Sequence, residues 1–106
     1  MPDRWSMPAL AVALLLLASP RLSAGETRSA ADLDALLHQD CGSCHGLTLK
    51  GGLGSPLLAD TLRDRPDDDL VEIILNGLPG TPMPPWRSLL SRDDALWIVR
   101  RLKAGG

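Results

Sequence analysis

The chain has no phenylalanine and no tyrosine, and only three tryptophans. Trp5 lies in an apolar N-terminal stretch, which leaves Trp86 and Trp97 as the large aromatics of any folded domain. A core assembled from this sequence has to be aliphatic, made of Leu, Ile and Val. Basic residues are also scarce: 11 Lys and Arg stand against 13 Asp and Glu. From Gly25 onward the balance is nine against twelve, a net charge of about -3. No basic tract or repeat appears, so nucleic-acid binding has no support. No run is long enough for a comfortable membrane span. Ser-His-Asp sets, paired catalytic carboxylates and phosphate-binding loops are missing too, and the chain is not read as an enzyme. Alternating strand patterns are absent, so the expected fold is all-α.

The first 24 residues read as a secretory signal peptide, with one domain over 25–106. Arg4 lies in a short polar start, its charge offset by Asp3. The apolar run from Ala9 to Ala18 has signal-peptide length, and Ser19-Pro20-Arg21 breaks it. Cleavage fits after Ala24, or after Gly25 with Ser23 at the −3 position. An uncleaved anchor is the alternative, and the run is short for one. No cysteine lies near the cleavage point, so a lipid anchor is not expected. Export to the periplasm follows, with no membrane attachment after removal of the signal.

The two cysteines stand together, in Cys41-Gly42-Ser43-Cys44-His45. This is Cys-x-x-Cys-His, the haem-attachment signature. Two thiols at that spacing reach the two vinyl groups of one haem, and the following histidine is placed to bind the iron. A structural zinc site needs four ligands. The remaining candidate, His38, would leave adjacent Cys44 and His45 sharing one ion. A thioredoxin-type pair belongs in a βαβ context that is not found here. A plain disulfide would not need His45. A domain of about 82 residues buries too little apolar surface by itself, and a covalent porphyrin supplies the missing core.

A first helix is expected from Ser29 to about Asp40, with Ala30, Leu33, Leu36 and Leu37 at helical spacing. Gly46 to Pro56 reads as a loop whose four glycines let backbone run close to the porphyrin, or as a flexible surface loop. One helical turn is expected over Asp60 to Arg65. Pro66 suits the first turn of the next helix, with Asp67, Asp68 and Asp69 at its positive end and Leu70, Ile73 and Ile74 on its apolar face. A calcium site at the three aspartates lacks EF-hand spacing. Gly77 is expected in a left-handed cap. Ser91 caps the last helix, with Asp94 completing a capping-box-like pair and Ala95, Ile98, Val99 and Leu102 as the buried stripe. The expected fold is three main helices and a short one around one covalent haem.

Met83 lies in Gly80-Thr81-Pro82-Met83-Pro84-Pro85-Trp86, the one methionine left after signal removal. Prolines fix backbone torsions and aim a side chain rigidly. A thioether suits low-spin haem iron, and a Met/His pair raises the reduction potential. A gap-filling core methionine is the bland alternative. Beside His45, axial ligation by Met83 is the expectation. His38 lies too near the attachment point to reach the opposite face of the porphyrin, and is placed at the surface or the haem edge.

One Cys-x-x-Cys-His after an N-terminal helix, one Met-Pro downstream and a closing helix resemble the class I cytochromes c. More closely, the chain resembles small periplasmic cytochromes of the NirC type, encoded with cytochrome cd type nitrite reductase. The stretches Asp40 to Leu47, Gly51-Gly52-Leu53-Gly54, Thr81 to Trp86 and Asp94-Ala95-Leu96-Trp97 carry the likeness. The resemblance implies thioethers from Cys41 and Cys44 to one haem c, a proximal iron ligand from His45 and a distal one from Met83. Where many relatives have Gly-Pro after the haem motif, this chain reads Gly54-Ser55-Pro56, so the carbonyl of either Ser55 or Pro56 orients His45.

The implied function is single-electron transfer by a monomer. Gly42, Ser43, Gly46, Leu47, Pro79, Pro82 and Pro84 surround the haem edge in this reading. The expected partners are redox proteins, either nitrite reductase in denitrification or its haem d assembly machinery. A maturation factor for that reductase and a gas-binding haem protein are the alternatives.

Overall fold

The computed structural model describes residues 28–106, and every element among them is helical. The expected signal peptide lies outside the described residues. Among those described, no helix is long and apolar enough to cross a membrane.

Helix α1 covers Ala30–Leu36. Ser29 caps it, its hydroxyl accepting from Asp32 N–H at 3.2 Å. The helix does not stop near Asp40 as expected. It continues through a π-helical turn, Leu37–Cys41, into α2, Gly42–His45. Gly42 N–H donates to Leu37 O, the five-residue spacing that defines the wider turn. Leu33, Leu36 and Leu37 are buried, whereas Ala30 is exposed. The turn carries one extra residue, so the thiols and imidazole face a direction that an unbroken α-helix would not give them.

Helix α3 is one short turn, Ala59–Leu62. Helix α4, Asp67–Asn76, begins after Pro66, which serves as the cap rather than the first helical residue. Asp67, Asp68 and Asp69 occupy its first turn, favoured there by the helix dipole. Asp67 pairs with Lys103 Nζ at 2.7 Å and Asp68 with Arg92 at 3.5 Å. Its buried residues are Leu70, Val71 and Leu75, while Ile73 and Ile74 are half-buried. The inward face is therefore rotated from the expected one toward Val71 and Leu75.

Helix α5, Arg92–Lys103, packs on α4, α3 and α1. Ala95, Ile98, Val99 and Leu102 are all buried, as their spacing predicts. Ser91 and Asp94 form the full reciprocal capping box. Asp94 also reaches beyond it. One carboxylate oxygen accepts from Ser91 N–H at 3.0 Å, and the other from Arg28 N–H at 2.9 Å. The side chain is fully buried, and these two amides compensate its desolvation. The start of α1 is thus tied to the start of α5. The core is Leu, Ile, Val and Ala, with Trp86 and Trp97 packed against it.

Candidate functional site

Cys41, Cys44 and His45 lie at the end of the continuous helix, where spacing of three residues puts both thiols on one side. Both cysteines are free thiols, Cys41 half-buried and Cys44 exposed. Ser43 Oγ donates to Asp40 O at 2.7 Å and steadies the turn between them. Burial, reinforced by the adjacent Asp40 carboxylate, pushes the Cys41 thiol up from 9.0 to about 11.

That shift makes a prediction for the haem-free protein. A raised thiol pKa means the folded state prefers the neutral form. The stabilisation is complete below pH 9.0 and is lost as pH rises toward 11. Urea titrations at stepped pH should show a fall of up to about 2 kcal/mol across that window, less any solvent screening. The Cys41→Ser variant should lack it. An equal fall in that variant would assign the loss to other groups.

The glycine loop after His45 folds back on the helix end. Gly51 N–H donates to His45 O at 2.8 Å and Gly54 N–H to Cys44 O at 2.7 Å, which satisfies the terminal carbonyls. This is a packed cap, so the flexible-loop alternative is set aside. Leu49 anchors the loop, buried although its φ of 59° is unusual for a leucine.

His45 Nδ1 lies 2.7 Å from the carbonyl oxygen of Ser55. A carbonyl only accepts, so Nδ1 carries a proton, and in the neutral ring Nε2 keeps the lone pair that a metal would take. The orienting carbonyl is that of Ser55. Pro56 contributes by restricting the residue before it to extended backbone. Gly54 completes the cradle: a Cβ there would stand 2.7 Å from both Cε1 and Nδ1 of the ring. The imidazole lies against bare backbone, oriented before any metal arrives.

Met83 is half-buried in the loop between α4 and α5. Its N–H donates to Thr81 Oγ1 at 3.3 Å, and its carbonyl accepts from Leu78 N–H at 3.2 Å. Gly77, beneath this loop, is the C-cap of α4, with its N–H on Ile73 O; its φ of 72° is positive as expected, while its ψ of −178° departs from the left-handed helical value. Glycine is required twice over: a positive φ strains any other residue, and a Cβ would meet Met83 O at 2.8 Å and Pro84 C at 2.9 Å. His38 is at the surface, 3.6 Å from Asp34. Among the described residues, no three His, Cys, Asp or Glu side chains gather as a structural cation would need. Leu47 and Leu53, beside the motif, are 76% and 79% exposed.

Two thiols in one turn, an imidazole with a free Nε2 and neighbouring apolar side chains fit haem c, whose faces are apolar and whose iron takes nitrogen. The helical frame that presents them is that of a small c-type cytochrome with one covalent haem. The comparisons agree. Residues 28–100 match the family described as cytochrome C oxidase, cbb3-type, subunit III. Cytochrome c55X of Pseudomonas aeruginosa is 56% identical over 80 residues, covering 76% of this chain and 67% of that protein. The solved structure of a c-type cytochrome NirC is 55% identical with a TM-score of 0.70, covering 73% of this chain and 94% of that one. Dihydro-heme d1 dehydrogenase NirN is 33% identical with a TM-score of 0.63, covering 69% of this chain but 16% of its own. The chain belongs to the cytochrome c55X family.

Proposed function

We propose that this protein is a periplasmic carrier of single electrons, held to one haem c by thioethers from Cys41 and Cys44. His45, through Nε2, and Met83, through its sulfur, would hold its iron. The observation that carries this is the His45 ring, fixed by Ser55 and Gly54 with Nε2 left free, one residue after the second thiol. The bound group supplies a one-electron couple. The chain does the rest. His45 is held in one tautomer, and its bond to Ser55 strengthens it as a donor. The Met83 loop offers a soft thioether that favours the reduced metal. With both ligands on rigid backbone, little needs to move when charge changes.

The acceptor we favour is nitrite reductase in denitrification, reached by a monomer through a small apolar patch that includes exposed Leu47. The chain is read as a carrier with no catalysis of its own. A second reading, electron delivery to haem d maturation, draws on the likeness to a domain of dihydro-heme d1 dehydrogenase. One experiment separates them. A strain lacking this protein is given preformed, fully loaded reductase, and nitrite consumption is followed. The donor role expects the rate to stay low until the cytochrome is added back. Full activity without it would overturn that role.

A further inference from the structure

The loop carrying Met83 is fastened at both ends to the end of α4. At its entry, Gly77 N–H donates to Ile73 O at 2.9 Å. At its exit, Trp86 N–H donates to Ile74 O at 2.9 Å and Arg87 N–H to Leu75 O at 3.1 Å. Three successive carbonyls at the open end of the helix are thereby satisfied by residues bordering the loop. Between the fasteners, Pro79, Pro82, Pro84 and Pro85 stiffen the chain. A loop so stiff moves as a unit, and its exit is a point where it can be released.

The exit is reinforced by side chains. Arg87 donates twice to Asn76 Oδ1, from Nε at 3.2 Å and Nη2 at 2.8 Å. Asn76 Nδ2 donates to Glu72 Oε2 at 2.7 Å. Glu72 in turn pairs with Arg92 Nη1 at 2.5 Å, in the first turn of α5. The chain of contacts runs from the loop exit along α4 to the neighbouring helix. A lysine could not reproduce the two-point contact of the guanidinium.

We propose that Arg87 and Asn76 are positioning residues for the sixth iron ligand, a clamp that holds the Met83 loop on α4 and resists replacement of the thioether by an outside ligand. The proposal rests on the reading that Met83 binds the iron. Neither residue touches the metal. Their effect passes through the loop exit.

Imidazole, which competes for the position Met83 is proposed to hold, provides the probe. The full-length, haem-loaded, oxidised protein is titrated with imidazole and followed by visible absorbance. Arg87→Ala and Asn76→Ala are each expected to tighten imidazole binding about three- to tenfold, the range for one or two exposed hydrogen bonds. The double variant should gain little beyond the stronger single one, because the two side chains share one contact. Arg87→Lys should not restore the parent value. Ser91→Ala, which weakens the cap of α5, serves as a control for general loosening and should leave imidazole binding unchanged. Parent-like affinity in both clamp variants overturns the proposal, as does an equal shift in Ser91→Ala. Met83→Ala keeps the two claims apart. If it loses the sulfur-to-iron band while the clamp variants bind imidazole as the parent does, the ligation stands and the clamp falls. If it keeps both the band and the parent affinity for imidazole, the ligation falls and the clamp with it.

Discussion

Replacing Met83 by alanine is expected to leave the haem covalently attached while opening one iron position. The proposed attachment residues Cys41 and Cys44 lie on the helix preceding the glycine loop, whereas Met83 comes from a separate loop after α4. Loss of the thioether removes a ligand that favours the reduced metal, so the potential should fall. Axial ligation spans about 0.8 V across haem proteins, and a drop on the order of a tenth of that range or more is expected. Carbon monoxide should then bind the reduced variant rapidly and the parent slowly. Potentiometry and the red-edge absorption band of the oxidised protein check both points. An unchanged band and potential would remove Met83 from the site. Rapid carbon monoxide binding by the parent itself would favour a gas-reacting haem protein over a carrier.

Gly54→Ala should act on the other proposed ligand, His45. The added methyl would stand 2.7 Å from two atoms of the His45 ring, inside ordinary contact distance. The ring cannot slide freely, because Nδ1 is bonded to Ser55 O at 2.7 Å. Either the ring turns and that bond is lost, or the loop lifts from the helix end. Overpacking costs about 1–3 kcal/mol, and the lost hydrogen bond adds about 1 kcal/mol. The loop also caps Cys44 O through Gly54 N–H, so lifting it exposes a second group. Stability should fall by about 2–4 kcal/mol, with a lower yield of haem-loaded protein and a weaker histidine donor. Denaturant unfolding and a haem-stained gel measure the two effects. Parent-like values in both would show that the loop yields freely and that Gly54 is not required.

Much of the frame was readable from local chemistry. Ser91, Asp94 and the spacing of Ala95, Ile98, Val99 and Leu102 define α5, since caps and apolar stripes act within a few residues. Ser29 marked the start of α1 for the same reason. What escaped was decided at a distance. Gly42 and Ser43 are weak helix formers, so nothing in the motif itself announced that the helix runs through to His45. The π-helical turn leaves Leu37 buried and Cys41 half-buried. Gly77 is the helix cap it looked like, but the backbone of Met83 and Pro84 pressed against it adds a demand that no local signal announced. The inward turn of Val71 and Leu75 is set by packing on α5, which periodicity over ten residues does not resolve.

At the proposed site, the motif singled out three candidate residues and the proline-rich loop a fourth, because unusual chemistry leaves unusual composition. The orienting carbonyl could not be chosen between Ser55 and Pro56, since both are adjacent in the chain and only the ring's placement separates them. The Arg87 contact to Asn76 had no signal at all. Asn76 ends α4 and Arg87 lies in the turn beyond the loop, and exposed polar residues at such places are common.

The buried carboxylate of Asp94 sets where the domain can be trimmed. Because one of its oxygens is satisfied by the amide of Arg28, a recombinant fragment beginning at Ala30 would keep every helix yet strand half of an interior anion. The shortest self-sufficient unit therefore begins upstream of its first helical residue, at a position marked by valence and not by secondary structure.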